Sequence, residues 1–375
     1  MHIARHLILV SCICTGLVAG ETRNDYRNLA DFPNTELTPL VTERIWPAEV
    51  GQAVVCLWKD DKTLAFSITI DDNTRPDHAW WLEQGRKYGF RFTWFAIVGG
   101  LVNSINPGFS GNWADFQALL AAGHDVQSHS MTHRSKEANL SAEDDYVQAI
   151  PPLTENLKGT RPLTLAYPGG GLPNDPVAAA RHHIGARGTI GTTNGPRPNW
   201  FDVHSVGDGA LVNVPIGGKG DWASMLPLLN PKARNYRGWY CTHFHGVAWN
   251  PDIQKTIMPA VITMLDTIKA HESEIWVALF REAALYGQER DTAKLQVTNS
   301  TATAITLLLT DRMYDDWYDF PLTIRLRVPD AWTAVAATQG GKPLRASVVE
   351  HNGHRFAMVD VVPDRGEATI RPQAK

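Results

Sequence analysis

Between about residues 60 and 287, short apolar runs alternate with longer stretches in which apolar residues recur at helical spacing. The apolar runs TLAFSITI, FRFTWFAIV, HDVQSHS, LTLAYP, ARGTIGT, GWYCTHFH and IWVALF read as strands. The segments between them, HAWWLEQGRKYG, NWADFQALLAAG, SAEDDYVQAIPPLTENLKG, DPVAAARHH and DIQKTIMPAVITMLDTIKAHES, read as helices. In the last helix Ile253, Ile257, Val261, Met264, Leu265 and Ile268 form one apolar stripe. Strands alternating with helices predict an α/β fold, a parallel sheet covered by helices and either open or closed into a barrel. After GQERDT the rhythm changes. TATAITLLLT, PLTIRLRV, ASVVEH, RFAMVDVV and EATIRP are short β-rich runs separated by GG, NG and DRG turn signals. The pattern therefore predicts an α/β unit over 21–288 and a small β-sandwich-like accessory domain over 289–375.

Composition narrows the class. The chain has 375 residues, 43% of them hydrophobic and 20% charged, with a formal charge of −4. That is the profile of a globular protein, and with no long run of Lys and Arg it predicts no nucleic-acid partner. The first twenty residues differ from the rest: MHIARH precedes the apolar stretch LILVSCICTGLVAG, which is too short to span a bilayer. We read residues 1–20 as a secretory signal peptide ending at Val18-Ala19-Gly20, in preference to a lipoprotein signal at Cys12. The mature chain is then expected to be secreted or periplasmic, without a membrane span. Its cysteines are Cys56 and Cys241, expected either to form one bridge or to remain two buried thiols.

Ligands of α/β sheets sit at the carboxyl ends of the strands. There the apolar run ending at Ile70 meets two adjacent carboxylates, Asp71 and Asp72, whose side chains point to opposite faces if the strand continues. His129 and His133 stand four residues apart after another strand. Two imidazoles and a carboxylate make the ligand set of a metal site with open positions, and the second Asp is left for acid–base work. Either Asp fits either role. In WYCTHFHGVAW, Cys241, His243 and His245 alternate onto one face of a strand, with His245 better placed to donate a proton. Taken singly, an Asp pair after a strand is more often a helix N-cap, and a lone His pair is usually two exposed side chains. Their convergence on three strand ends outweighs those readings.

With these residues in place, the chain resembles the polysaccharide deacetylases of carbohydrate esterase family four. TIDD at 69–72 is similar to that family's first motif and HSMTH at 129–133 to its second, with KYGFRFTWFAIV and LLAAGHDVQSHS resembling the flanks. The resemblance covers roughly residues 60–287 and implies a distorted (β/α) barrel with fewer than eight repeats. It also implies one divalent ion, usually Zn2+, held by Asp72, His129 and His133, with Asp71 as general base. In the third motif, LAYPGGG places Ala166 where the family has Arg and Gly169 where it has an aromatic residue, while Pro168 keeps its place. Tyr167, Pro168 and Gly169 are then expected at the oxyanion pocket, with the Gly169 backbone N–H as donor. Arg187 is the expected substitute for the missing Arg, its other reading being a surface residue at a strand edge. Asp221-Trp222 matches the fourth motif, in competition with Asp202 and Asp208. His243-Phe244-His245 matches the fifth, with His245 as acid and His243 in place of an apolar residue. The implied activity is hydrolysis of N- or O-acetyl groups of a poly- or oligosaccharide, and Trp200, Trp222 and Trp249 suit stacking against sugar rings. Cleavage of another amide and a catalytically dead glycan-binding barrel are the rival functions.

Overall fold

A computed structural model describes residues 24–373 apart from 105, 107, 134–138, 171–173 and 208–228. The signal-peptide reading of residues 1–20 lies outside the described residues, as do Asp208, Asp221 and Trp222. Strand β1 (Ala53–Val55) is followed by β2 (Leu64–Asp71), β3 (Thr93–Ala96), β4 (Asp125–Ser128), β5 (Thr164–Ala166), β6 (Gly185–Arg187), β7 (Val206–Gly207), β8 (Trp239–Phe244) and β9 (Ile275–Val277). From β2 onward these strands pair in parallel in the order β6-β5-β4-β3-β2-β8-β7. Every residue of β2 is buried, which is why its sequence is a nearly unbroken apolar run rather than an alternation.

The sheet curls until its edges meet. Val203 bridges Arg187 at the end of β6, and a few residues later β7 pairs with Thr242 and His243 of β8. Strand β9 occupies the side of β2 that β3 leaves open: β9 pairs with Leu64–Phe66 and β3 with Thr69–Asp71. The result is a distorted (β/α) barrel with fewer than eight repeats.

Helices α1 (His78–Tyr88), α2 (Val98–Val102), α3 (Trp113–Ala121), α4 (Ala142–Val147), α5 (Ile150–Asn156), α6 (Pro176–His182), α7 (Pro251–Ala270) and α8 (Phe280–Thr292) fill the connections. The single helix expected from SAEDDYVQAIPPLTENLKG is two, because Pro151 and Pro152 have no N–H with which to continue α4 and instead open the first turn of α5. On α7 the buried positions are Val261, Met264, Leu265 and Ile268, four of the six in the predicted stripe.

Eight further strands make two antiparallel sheets: β10 (Lys294–Ser300), β11 (Ile305–Thr310), β12 (Leu322–Arg327), β13 (Val335–Gln339), β14 (Lys342–Leu344), β15 (Ala346–His351), β16 (His354–Val361) and β17 (Ala368–Pro372). One sheet runs β1-β12-β16-β15 and the other β10-β11-β17-β13-β14. Strand β1 thus joins a partner more than 260 residues away in the chain. The two sheets share one core, in which Leu307 and Ile370 meet Ile324 and Val359. Strand β12 is buried on both faces. Leu322, Ile324 and Leu326 contribute to that core, while Arg325 reaches Asp61, which also pairs with Arg237 and Arg44 at 3.0 Å.

Helix α8 was not among the predicted helices; its sequence REAALYGQERDT is rich in charge, yet Gln288, Glu289, Arg290 and Asp291 are all buried. Most of their polar atoms find partners on both sides, Glu289 Oε2 being the exception, and burial pushes that carboxyl well above its usual range. Gln288 donates to Ile184 O on the barrel, Arg290 to Leu57 O and Pro196 O, and Glu289 accepts from Phe320 N beside β12. Burial with compensating hydrogen bonds makes this charged helix the joint between barrel and sandwich.

Candidate metal and catalytic centre

The mouth of the barrel brings Asp71, Asp72, His129 and His133 together. Asp71 ends β2, and Asp72 follows in the left-handed region at φ 67°. Opposite-face pointing held only if the strand continued. The left-handed turn at Asp72 breaks the alternation and brings both carboxylates to one imidazole: His129 Nε2 lies 4.0 Å from Asp71 Oδ2 and 3.7 Å from Asp72 Oδ1. His133 Nε2 lies 3.9 Å from the same Asp72 oxygen. One donor atom from each of Asp72, His129 and His133 falls within 4.8 Å of the others, the only such group of three among the described residues.

The loop carrying the two histidines is tightly held. Ser130 and His133 are also left-handed, at φ 65° and 52°, a concentration of backbone strain typical of functional sites. Ser130 Oγ accepts from His133 N at 3.0 Å. Asp145, buried on α4, accepts from both Thr132 N and Thr132 Oγ1 through Oδ1, at 2.7 and 2.8 Å. Nδ1 of His129 is 2.8 Å from Ala166 O at the end of β5. A carbonyl only accepts, so Nδ1 carries the proton and Nε2 presents its lone pair toward Asp72. Burial keeps this imidazole below its ordinary pKa and therefore neutral, against the opposing pull of Asp71.

These residues fit a divalent cation. Asp72 Oδ1 is buried without a hydrogen-bond partner, facing two imidazole nitrogens, an arrangement that leaves a carboxylate oxygen unsatisfied unless a cation takes it. Two imidazoles and one carboxylate with open positions are suited to zinc.

On the other side of His129, Arg187 Nη2 donates to both oxygens of Asp71. Arg187 is fully buried and its guanidinium lies 5.4 Å from the Phe95 ring. The reading of Arg187 as a surface residue is thereby excluded. Burial disfavours ionisation of Asp71, but Arg187 and, to a lesser degree, His129, His243 and His245 outweigh it and hold the carboxyl well below the usual range. Nε and Nη1 of Arg187 have no partner although buried, so the residue is held here at a desolvation cost.

The β8 end supplies two more imidazoles. His243 is buried, with Nδ1 2.7 Å from Ser205 Oγ, which donates its proton to Gly188 O at 2.6 Å. Ser205 must then accept from His243, fixing Nδ1 as protonated. Gly207 passes so close that a Cβ there would meet His243 Nε2 at 2.5 Å. His245 is exposed, its ring perpendicular to that of His243 at 5.8 Å. Tyr167 turns into the core, where its hydroxyl donates to Phe201 O at 2.9 Å, so that residue offers the mouth no side-chain donor. Gly169, at φ 68°, is exposed in the turn that follows. Trp200 is buried core, whereas Trp249 is exposed. Cys56 and Cys241 are both free and buried, their thiols pushed up to about 12 by burial.

Sequence reasoning missed Ser205, the Ala166 carbonyl and Asp77. Asp77 is buried before α1 and accepts from Val247 N and Ala248 N at 2.5 and 2.8 Å, pinning the loop after His245. A carboxylate before a helix reads as an ordinary cap, which hides this long-range role.

A family model described as polysaccharide deacetylase matches residues 59–187. A gellan lyase from Bacillus sp. is 35% identical over 379 aligned positions, which cover 96% of this chain and 14% of that protein. The chain thus spans about one seventh of the length of that relative. Among solved structures, a putative polysaccharide deacetylase from Mycobacterium smegmatis is 14% identical, with 63% of this chain and 94% of that one covered at a TM-score of 0.42. The Xyl-CE4 domain of a multidomain xylanase from the hindgut metagenome of Trinervitermes trinervoides is 17% identical, with coverages of 59% and 89% and a TM-score of 0.37. The matched segment, which carries Asp71, Asp72, His129, His133 and Arg187, is similar to the polysaccharide deacetylase family.

Proposed function

We propose that this chain is an exported, metal-dependent carbohydrate deacetylase that hydrolyses N- or O-acetyl groups of a poly- or oligosaccharide, with 21–288 as the catalytic unit and 289–375 as its accessory domain. The observation that carries the reading is the joint placement of the Asp72–His129–His133 cluster and the Arg187-paired Asp71 on either side of one imidazole.

Asp72, His129 and His133 would hold a divalent ion, most simply Zn2+, which supplies Lewis acidity and eases deprotonation of water at neutral pH. Asp71, kept ionised by Arg187, takes the proton from the attacking water as its oxygen bonds to the acetyl carbonyl carbon. The backbone N–H of Gly169 serves the developing oxyanion. His245, at the exposed end of β8, gives a proton to the departing amine nitrogen or sugar oxygen as that bond breaks, so the products are acetate and the free amine or hydroxyl. Ser205 and His243 hold the inner side of this strand end in place.

The test is acetate release from acetylated chitin oligomers, peptidoglycan fragments, acetylated xylan and acetylated gellan, the last suggested by the name of the Bacillus relative. The reading predicts acetate from at least one of them, abolished by Asp71→Asn. Release from none of them, with the protein folded and supplied with zinc, would overturn it.

A further inference from the structure

A second group of carboxylates lies in the accessory domain, on elements that contribute nothing to the barrel mouth. Asp311 follows β11, Asp315 lies a few residues further on, and Asp364 stands in the turn between β16 and β17. Asp311 N donates to Asp364 Oδ2 at 3.0 Å. The carboxyls of Asp311 and Asp364 are in contact, and Asp315 is close enough to repel both. Asn24, from the entry segment, donates to Asp315 Oδ1 at 3.0 Å and also bonds the Asp364 carboxyl.

One oxygen in this group is stranded. Asp311 is only 6% exposed, and its Oδ1 accepts from Met313 N at 2.7 Å. Its Oδ2 is buried without a hydrogen-bond partner, a state that a carboxylate oxygen rarely keeps unless something cationic meets it. Among the described residues no Arg, Lys or His pairs with any of the three carboxylates. Neighbouring guanidiniums are engaged elsewhere: Arg365 donates to the Asp315 backbone carbonyl at 3.4 Å, Arg312 pairs with Glu36, and Arg27 lies over the Tyr314 and Trp317 rings. Two carboxylates in contact do not both stay ionised without a neutralising partner. A shared proton would balance one of the three charges, whereas a divalent cation balances two.

The donors are all oxygens, with no imidazole or thiolate among them, which separates this group from the zinc-suited set at the mouth. Asp364 and Asp315 are half-buried, so an ion can reach the group from water. We propose that Asp311 and Asp364 bind a calcium ion, with Asp315 adding its charge and water completing the shell. The ion would clasp three segments far apart in sequence: the entry segment at Asn24, the end of β11 and the β16–β17 turn. Tyr26 and Met313 already bridge the first two. Its role is to stabilise the sandwich, so the proposal stands apart from the deacetylase reading.

The test is calcium binding to the full chain carrying equimolar zinc, which occupies the mouth. Titration calorimetry should show one calcium ion bound with a Kd on the order of 0.1–1 mM, and about 10 mM calcium should raise the thermal unfolding midpoint by about 2–4 °C. Asp311→Asn and Asp364→Asn should each weaken calcium binding about tenfold or more and remove the thermal shift, with zinc content unchanged. Asp364 is half-buried, so its variant decides the matter even if Asp311→Asn does not fold. No saturable binding up to about 10 mM calcium overturns the proposal, and so do binding and a thermal shift that survive in the folded variants. Absence of a calcium response together with a calcium-free Asp311→Asn protein more stable than the unmutated one assigns the pair a shared proton instead.

Discussion

Replacing Arg187 with Met tests the electrostatic design of the barrel mouth. The guanidinium and the Asp71 carboxylate have side-chain exposures of 0% and 3%, and Nη2 bonds both carboxylate oxygens, so the pair is fully desolvated. Removing one partner from a buried pair leaves a stranded charge and costs about 3–5 kcal/mol, whereas removing both costs much less than the sum of the single changes. Arg187→Met and Asp71→Asn should each destabilise the protein, and the double variant should recover about 2–3 kcal/mol relative to additivity. The pH dependence follows from the direction of the shift. A carboxyl depressed in the folded state stabilises above its unfolded pKa of about 3.9 and loses that contribution as pH falls below it. Without Arg187 burial dominates, the Asp71 pKa rises, and its contribution reverses sign: the variant's deficit is largest at neutral pH and shrinks on acidification. The assay is urea denaturation of all four proteins, metal-free, at pH 7 and pH 4. An additive cycle, or a deficit that does not change with pH, would refute the reasoning.

Three further outcomes are expected. Asp77→Ala deprives two backbone N–H groups of their acceptor and should cost about 1–3 kcal/mol, with hydrogen exchange at Val247 and Ala248 rising above that of the barrel strands. Ser205→Ala should leave the fold intact but lower kcat for acetate release about tenfold or more, with KM little changed, because His243 loses the partner that fixes its ring; unchanged kinetics would remove the positioning role. Burial lowers His78, His124 and His183 to about 4 each, so the unfolded chain binds protons first as pH falls below about 6.5. Stability should therefore decline between pH 6.5 and 4, by on the order of 3 kcal/mol per histidine over the whole window, and His183→Leu should flatten the slope measured by urea denaturation.

Most barrel strands were legible as short runs between helical stretches, and Asp71, Asp72, His129 and His133 could be placed at the carboxyl ends of β2 and β4. The sequence left Arg187 between two readings, since nothing local distinguishes a buried Arg from one at a strand edge; the decision comes from Asp71, 116 residues earlier. Ala166 acts through its carbonyl, and a backbone atom leaves no mark on residue type. Strand β1 was illegible because three residues pair with β12 across most of the chain, and β7 because it is two residues long. Helix α8 was not among the predicted helices, because its charged composition carries no apolar stripe; its polar groups are held largely by backbone from both neighbouring layers, and burial pushes the Glu289 carboxyl well above the usual range.

The central claim is that Asp72, His129 and His133 grip one cation with Asp71 beside it. Anomalous diffraction at the zinc edge, from crystals grown with equimolar zinc, tests it directly. The account predicts one dominant peak about 2.0–2.2 Å from a carboxylate oxygen of Asp72 and the Nε2 atoms of His129 and His133, absent in His133→Ala. A dominant peak elsewhere, or none at this position, would contradict it.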